Sequence, residues 1–177
     1  LKIFEIAPAL LPAVKNSRAD FGRLSADILG FELPVMAVCG DQEASAFAAG
    51  ETRGTTKITF GTGTFVSQAM GAKPESRPDF QTTLLPGKKR PSYRLEAKVG
   101  SFGLKYAAIR EDYKKSDVLL REMIAATAAV VRKLPLRPKE IIIDGGMTRE
   151  KRLAMYLAEE LRVPVRIQKP DDGTSLG

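Results

Sequence analysis

Three short turns hold the residues whose types and spacing could do chemistry: Gly40-Asp41-Gln42, Gly61-Thr62-Gly63-Thr64 and Gly145-Gly146-Met147-Thr148. Glycine lets a backbone approach a ligand closely, and successive bare N–H groups form a concavity suited to an anion, so the threonine turn is a candidate phosphate cradle. It reads equally well as a hairpin turn, because apolar runs at Ile58 to Phe60 and Phe65 to Ala69 flank it. For Asp41 the competing reading is a helix N-cap, for Gly145-Gly146 a tight turn into a helix, and for Thr62 and Thr64 local bonding to their own backbone.

Each turn follows a run that reads as a strand. Pro34 to Val38 is a short apolar run consistent with a buried strand, followed by Gly40-Asp41 and an alanine-rich helix over Gln42 to Gly50. Glu140 to Asp144, with three isoleucines, is too apolar for an exposed face. After Gly145-Gly146, Thr148 is the expected cap of a helix marked by Leu153, Leu157 and Leu161, and Val163, Val165 and Ile167 alternate as another strand. This β-α-β order implies a parallel pair in a sheet covered by helices.

The remaining segments fill out an α/β domain. Leu1 to Val14 reads as an irregular connection, and Phe21 to Leu29 as a short helix stopped by Gly30. Ala72 to Ser92, with four prolines, reads as loop or short edge strand. Tyr93, Leu95, Ala97 and Val99 alternate with Arg94, Glu96 and Lys98, the pattern of a half-buried strand with its charges outward. Phe102, Tyr106 and Ile109 share one helical face. A longer helix is expected with Ser116 as N-cap, carrying Leu119, Met123, Ile124, Val130 and Val131 and halted by Pro135.

Composition removes whole classes of chemistry. There is no histidine, so a Ser-His-Asp triad, a Cys-His pair and a His-containing zinc site are all excluded. The single cysteine, Cys39, cannot form an intrachain disulfide and is expected to be a small core residue, in keeping with a reducing cytoplasm. Lys and Arg number 28 against 21 Asp and Glu, a net charge of +7. The bases are dispersed and no nucleic-acid motif accompanies them, so the excess reads as solvated surface and no nucleic-acid partner is expected. No stretch is long and apolar enough to cross a membrane, and no signal peptide is visible, although the chain begins with Leu1.

Taken in order, GDQEASAFAAG (Gly40 to Gly50), ITFGTGTF (Ile58 to Phe65), YRLEAKVGSFG (Tyr93 to Gly103) and IIIDGGMTRE (Ile141 to Glu150) resemble successive landmarks of the FGGY carbohydrate kinases. LPAV at Leu11 to Val14 and the tail Asp172 to Gly177 extend the match, and GTGTF is most similar to the glycerol kinases. The resemblance implies an actin-like, ribonuclease H-like ATPase fold with a mixed β-sheet flanked by helices. Residues 1–33 would be the connection and helix entering the domain, and 34–177 the C-terminal nucleotide-binding domain, incomplete at its end.

It also implies an activity and roles. The activity is ATP-dependent phosphorylation of a sugar or polyol hydroxyl, with a non-catalytic nucleotide-binding module of the same fold as the alternative. Asp41 would be the catalytic base and, with Gln42 and Phe65, a substrate contact. Gly61, Thr62, Gly63 and Thr64 would meet the ATP phosphates, and Gly145 and Gly146 the adenosine. Mg2+ would lie between the phosphates, with Asp41 reaching it at most through water. The missing N-terminal kinase domain is an implied partner, so this chain alone would be inactive; a homo-oligomer stays open. Two departures stand out: Glu150 replaces the usual Asn, and the long insertion that usually follows the Gly100 helix is absent, Arg110 to Lys115 bridging the interval.

Overall fold

The structure is a computed structural model and describes residues 2–85 and 90–169; the tail landmark at 172–177 and Lys88-Lys89 lie outside them. The chain forms two compact units, Leu1–Cys39 and Gly40–Gly177.

In the first unit, short 3-10 turns at Lys2–Phe4 and Pro8–Leu10 precede β1 (Arg23–Leu24), α1 (Ala26–Leu29) and β2 (Leu33–Pro34), which pairs antiparallel with β1. Ser25 caps α1, and Gly30 closes it at φ 79°, a left-handed conformation that suits glycine. The expected buried strand at Pro34 to Val38 shrinks to the two residues of β2, and Cys39 is exposed, not a core residue. None of the unit's described residues is buried, in keeping with the difficulty of building a core in about 40 residues. The pairing of β2 with β1 keeps residue 34 within this compact unit, which ends at Cys39.

The second unit is built on a six-stranded sheet. Its elements are α2 (Asp41–Ala48), β3 (Thr56–Phe60), β4 (Thr64–Gly71), β5 (Gln81–Leu84), β6 (Tyr93–Gly100), α3 (Phe102–Ile109), α4 (Tyr113–Val131), β7 (Ile141–Asp144), α5 (Lys151–Leu161) and β8 (Val165–Ile167). Strand order is β5-β6-β4-β3-β7-β8. The β3–β4–β6–β5 part is antiparallel, and β3–β7–β8 is parallel, which gives the expected mixed sheet.

Side-chain alternation divides the sheet into two faces. Ile58, Phe60, Val66, Ile141 and Ile143 point to one face, where α4 and α5 bury them. The buried stripe of α4 is Leu120, Met123, Ile124, Thr127, Ala128 and Val131, a spacing that keeps one helical side against the sheet. Leu119 and Val130, expected in that stripe, are only half-buried. The helix also starts a turn earlier than expected, because Asp112 caps it by accepting from the Lys115 N–H while Ser116 is buried. Likewise Thr148 closes a 3-10 turn by donating to the Gly145 carbonyl at 2.7 Å, and Glu150 caps α5. The helix α2 covers the other face.

Candidate functional site

The threonine turn forms where β3 ends. Phe60 pairs with Thr64, leaving a three-residue loop in which Gly61 N–H donates to the Gly63 carbonyl at 3.0 Å. Two glycines from elsewhere touch this hairpin through bare backbone. A Cβ on Gly103, in the first turn of α3, would fall 2.1 Å from the Gly61 carbonyl oxygen. A Cβ on Gly145, whose φ is 93°, would fall 2.5 Å from the Phe60 oxygen. Any side chain would force both apart, so glycine brings the exits of β3 and β7 and the start of α3 into contact. The candidate residues Gly61 to Thr64 and Gly145-Gly146 therefore share one end of the sheet, beyond the carboxyl ends of two parallel strands, the usual place for ligands in such sheets.

This end has features that fit a phosphorylated nucleotide. A Cβ on Gly146 would meet nothing within 4 Å, and the glycine borders a cavity of about 370 Å³, lined also by Gly103, Tyr106, Arg110, Met147 and Glu150. The Thr64 hydroxyl is buried with no partner among the described residues. Phe65 folds its ring against Gly63, where a Cβ would come within 2.9 Å of it. A register shift between Thr64 and Phe65 in the β4–β6 pairing marks a bulge beside the turn, a device that re-aims side chains.

Asp41 is the first residue of α2, and the N-cap is Gly40. Its side chain is exposed, and Oδ1 accepts from the Gln42 N–H at 2.7 Å. The helix dipole favours the acidic first turn of Asp41 and Glu43. Gln42 is half-buried, and its carbonyl accepts from Arg94. One turn along α2, Ser45 donates to Asp144 Oδ2, which also receives Lys57 Nζ at 3.0 Å. Lys57 and Asp144 expose only 2% and 3% of their side chains, and Lys57 bonds Thr59 as well, at 2.7 Å.

Sequence reasoning missed this charged layer. Arg94 was expected on an outward face, yet only 1% of its side chain is exposed; it pairs with Glu43 at 3.1 Å and Glu96 at 2.8 Å and bonds Thr83. Glu51 is also buried, with no partner for either oxygen among the described residues. Burial pushes its carboxyl up to about 7 against the opposing pull of Arg94 and Lys57. Burial also raises Glu96, again opposed chiefly by Arg94. The available signal was charge at alternate positions of β6 facing a helix rich in alanine, but alternation does not reveal whether a second layer covers the polar side.

The cavity beside Gly146 has a fixed wall. Glu150 accepts from Tyr106 and forms a bidentate pair with Arg152, whose hydrogen bonds hold its carboxyl down at about 2. Arg152 in turn stacks on Tyr113, 4.6 Å from the ring centre.

A mixed sheet with helices on both faces and glycine turns gathered at the carboxyl ends of its parallel strands is an arrangement that collects ligands at those strand ends. No protein-family model matches the chain. Among curated proteins, it is 45% identical to the glycerol kinase of Geobacter sp. (strain M21) over 74 residues, 41% of this chain and 15% of that protein. It is 25% identical to glycerol kinase 1 of Thermotoga maritima over 238 positions, which take in all of this chain and 48% of the relative. That span exceeds the 177 residues present here, so the relative carries segments without a counterpart. The solved structure of Plasmodium falciparum glycerol kinase with ADP superposes with a TM-score of 0.78 at 18% identity, over 95% of this chain and 46% of that one. The fold is therefore the actin-like ATPase fold of the sugar kinases, and in sequence the chain is similar to part of the glycerol kinases. It spans less than half the length of each of these relatives.

Proposed function

We propose that the complete protein phosphorylates a hydroxyl of a sugar or polyol with ATP, and that this chain is its ATP-binding C-terminal part. The observation that carries the reading is the convergence of Gly61 to Thr64 and Gly145-Gly146, held by backbone contacts that only glycine permits, with the helix headed by Asp41 tied through Ser45 to Asp144, the residue before Gly145. Bound ATP with Mg2+ supplies the phosphoryl group and the charge neutralisation its transfer requires. The turn Gly61 to Thr64 would hold phosphate oxygens through backbone N–H groups and threonine hydroxyls, and Gly145-Gly146 would let the adenosine lie against bare backbone. Asp41 would accept the proton of the attacking hydroxyl, Gln42 and Phe65 would orient the substrate, and Mg2+ would stay on the phosphates. The rest of the cleft, and most of the choice among substrates, would come from an N-terminal domain outside this chain, with residues 1–33 as the connection leading from it. Among the described residues no helix is long and apolar enough to cross a membrane.

Replacing Asp41 by Asn in the complete protein should lower kcat by about a thousandfold, as expected for loss of a general base, while ATP still raises the melting temperature. A screen of polyols and ketoses as acceptors supplies the assay. Undiminished turnover by D41N would remove Asp41 from the mechanism, and the absence of any ATP-dependent thermal shift in the parent would remove the nucleotide reading itself.

A further inference from the structure

We propose that Asp144 is a positioning residue that couples the Gly145-Gly146 turn to the helix carrying Asp41; the proposal rests on the phosphotransfer reading for its kinetic consequence but not for its structural one. Asp144 ends β7 and directly precedes Gly145, whose backbone touches Phe60. Its Oδ2 receives Ser45 from α2 and Lys57 from β3. Ser45 lies four residues after Asp41, on the same side of α2. Lys57 lies on the strand that delivers Gly61. One buried carboxylate thus touches an element behind each of the three turns.

Two physical points favour placement over stability as its role. A serine inside a helix ordinarily satisfies its hydroxyl on a carbonyl of the preceding turn, but Ser45 reaches across to another element instead. A buried ion pair contributes little net stability compared with well-packed apolar residues, whereas its short directional bonds fix the relative position of the groups they join. Movement of Gly145 on nucleotide binding is therefore transmitted through Asp144 to α2, and the same bonds hold Asp41 in register with the phosphate turn. The other charges around this pair are Glu51, Arg94 and Glu96.

The test uses the complete protein and two variants, Ser45→Ala and Asp144→Asn, with ATP as the nucleotide. Hydrogen exchange should show ATP slowing the amides of residues 41–48 in the parent, and this protection should vanish in S45A while that of residues 145–150 persists. With a responsive acceptor, kcat should fall about tenfold in S45A and about a hundredfold in D144N, with KM for ATP within about threefold, because misplaced reacting groups cost rate more than binding. S45A keeps the Lys57–Asp144 pair, so it remains informative if D144N does not fold. Retained protection of residues 41–48 in S45A, or parental kcat, overturns the proposal, and so does a rise in KM for ATP that tracks the fall in kcat and in melting temperature. Coupled protection in a parent that phosphorylates no acceptor supports the coupling and sinks the phosphotransfer reading. ATP protection confined to residues 145–150 in an active parent overturns the coupling alone.

Discussion

On the face of the sheet under α4 and α5, Ile58, Phe60, Val66, Ile141 and Ile143 pack against Leu120, Met123, Leu153 and Leu157. On the face under α2, the same strands present Lys57, Asp144, Arg94 and Glu96, with Ala46, Ala69 and Leu85 forming a small apolar cluster beside them. Both faces exclude water, but by different physics. The first gains from removing apolar surface and tolerates small shifts between neighbours. The second holds buried charges joined in part by directed bonds, with both Glu51 oxygens and Asp144 Oδ1 lacking a hydrogen-bond partner among the described residues, so it gains little stability while its bonds permit few arrangements. It is the second face that lies beside Asp41, which suggests that geometry, more than stability, governs what is built there.

The comparison can be broken most forcefully at Lys57. Lys57→Met leaves the Asp144 carboxylate buried without its ion-pair partner and should cost about 3–5 kcal/mol, read from the urea midpoint of the complete protein. The double variant Lys57→Met with Asp144→Leu makes this face resemble the other one; stability should return while kcat does not. Recovery of both would mean that the charges serve packing alone.

A cut into the apolar face should be smaller and should act differently. Leu120 is fully buried, and Leu120→Ala should lose about 3 kcal/mol through lost transfer energy and the cavity left behind. At temperatures where the variant is folded, kcat should remain within about twofold, since no directed bond to the ligand turns is touched. A kcat loss as deep as that of the Lys57 variant would erase the distinction between the faces.

The mildest probe is pH. The Glu51 carboxyl is raised by burial to about 7 in the folded chain from an ordinary value of 4.5. A raised folded value means that the folded state holds the proton more tightly than the unfolded state. The resulting stability is fully present below pH 4.5 and is lost as pH rises through 7. The loss amounts to at most about 3 kcal/mol between those limits. In Glu51→Gln this part of the pH dependence should disappear, so the variant's melting temperature should fall less than the parent's between pH 5.5 and pH 8.5. Parallel profiles would show that Glu51 is solvated and not part of the buried layer.

Legibility in the sequence followed the range of the interactions. The hairpin around Gly61, the all-isoleucine core of β7 and the β-α-β unit from Ile141 to Ile167 rest on local pattern, and the structure has them where expected. Caps were less secure: Ser116 and Thr148 have suitable side chains, but Asp112 and Glu150 reached the helix N–H groups first. Cys39 and Val38 carry apolar character without an element to bury them in their own unit. Arg94 misled for the opposite reason, since strand alternation reports two faces but not what covers each.

The sequence by itself determined the order of the main strands and helices of the second unit, the three glycine turns and the absence of histidine chemistry, because period, turn preference and composition are properties of neighbouring residues; in the first unit the expected helix over Phe21 to Leu29 is instead β1 followed by the short α1. Only the tertiary structure decided that Gly103 and Gly145 close on the hairpin backbone, and that Ser45, Lys57 and Asp144 meet beneath α2. Those contacts join residues as far apart as 45 and 144. They depend on the sheet bringing β3 and β7 side by side, which no local pattern encodes.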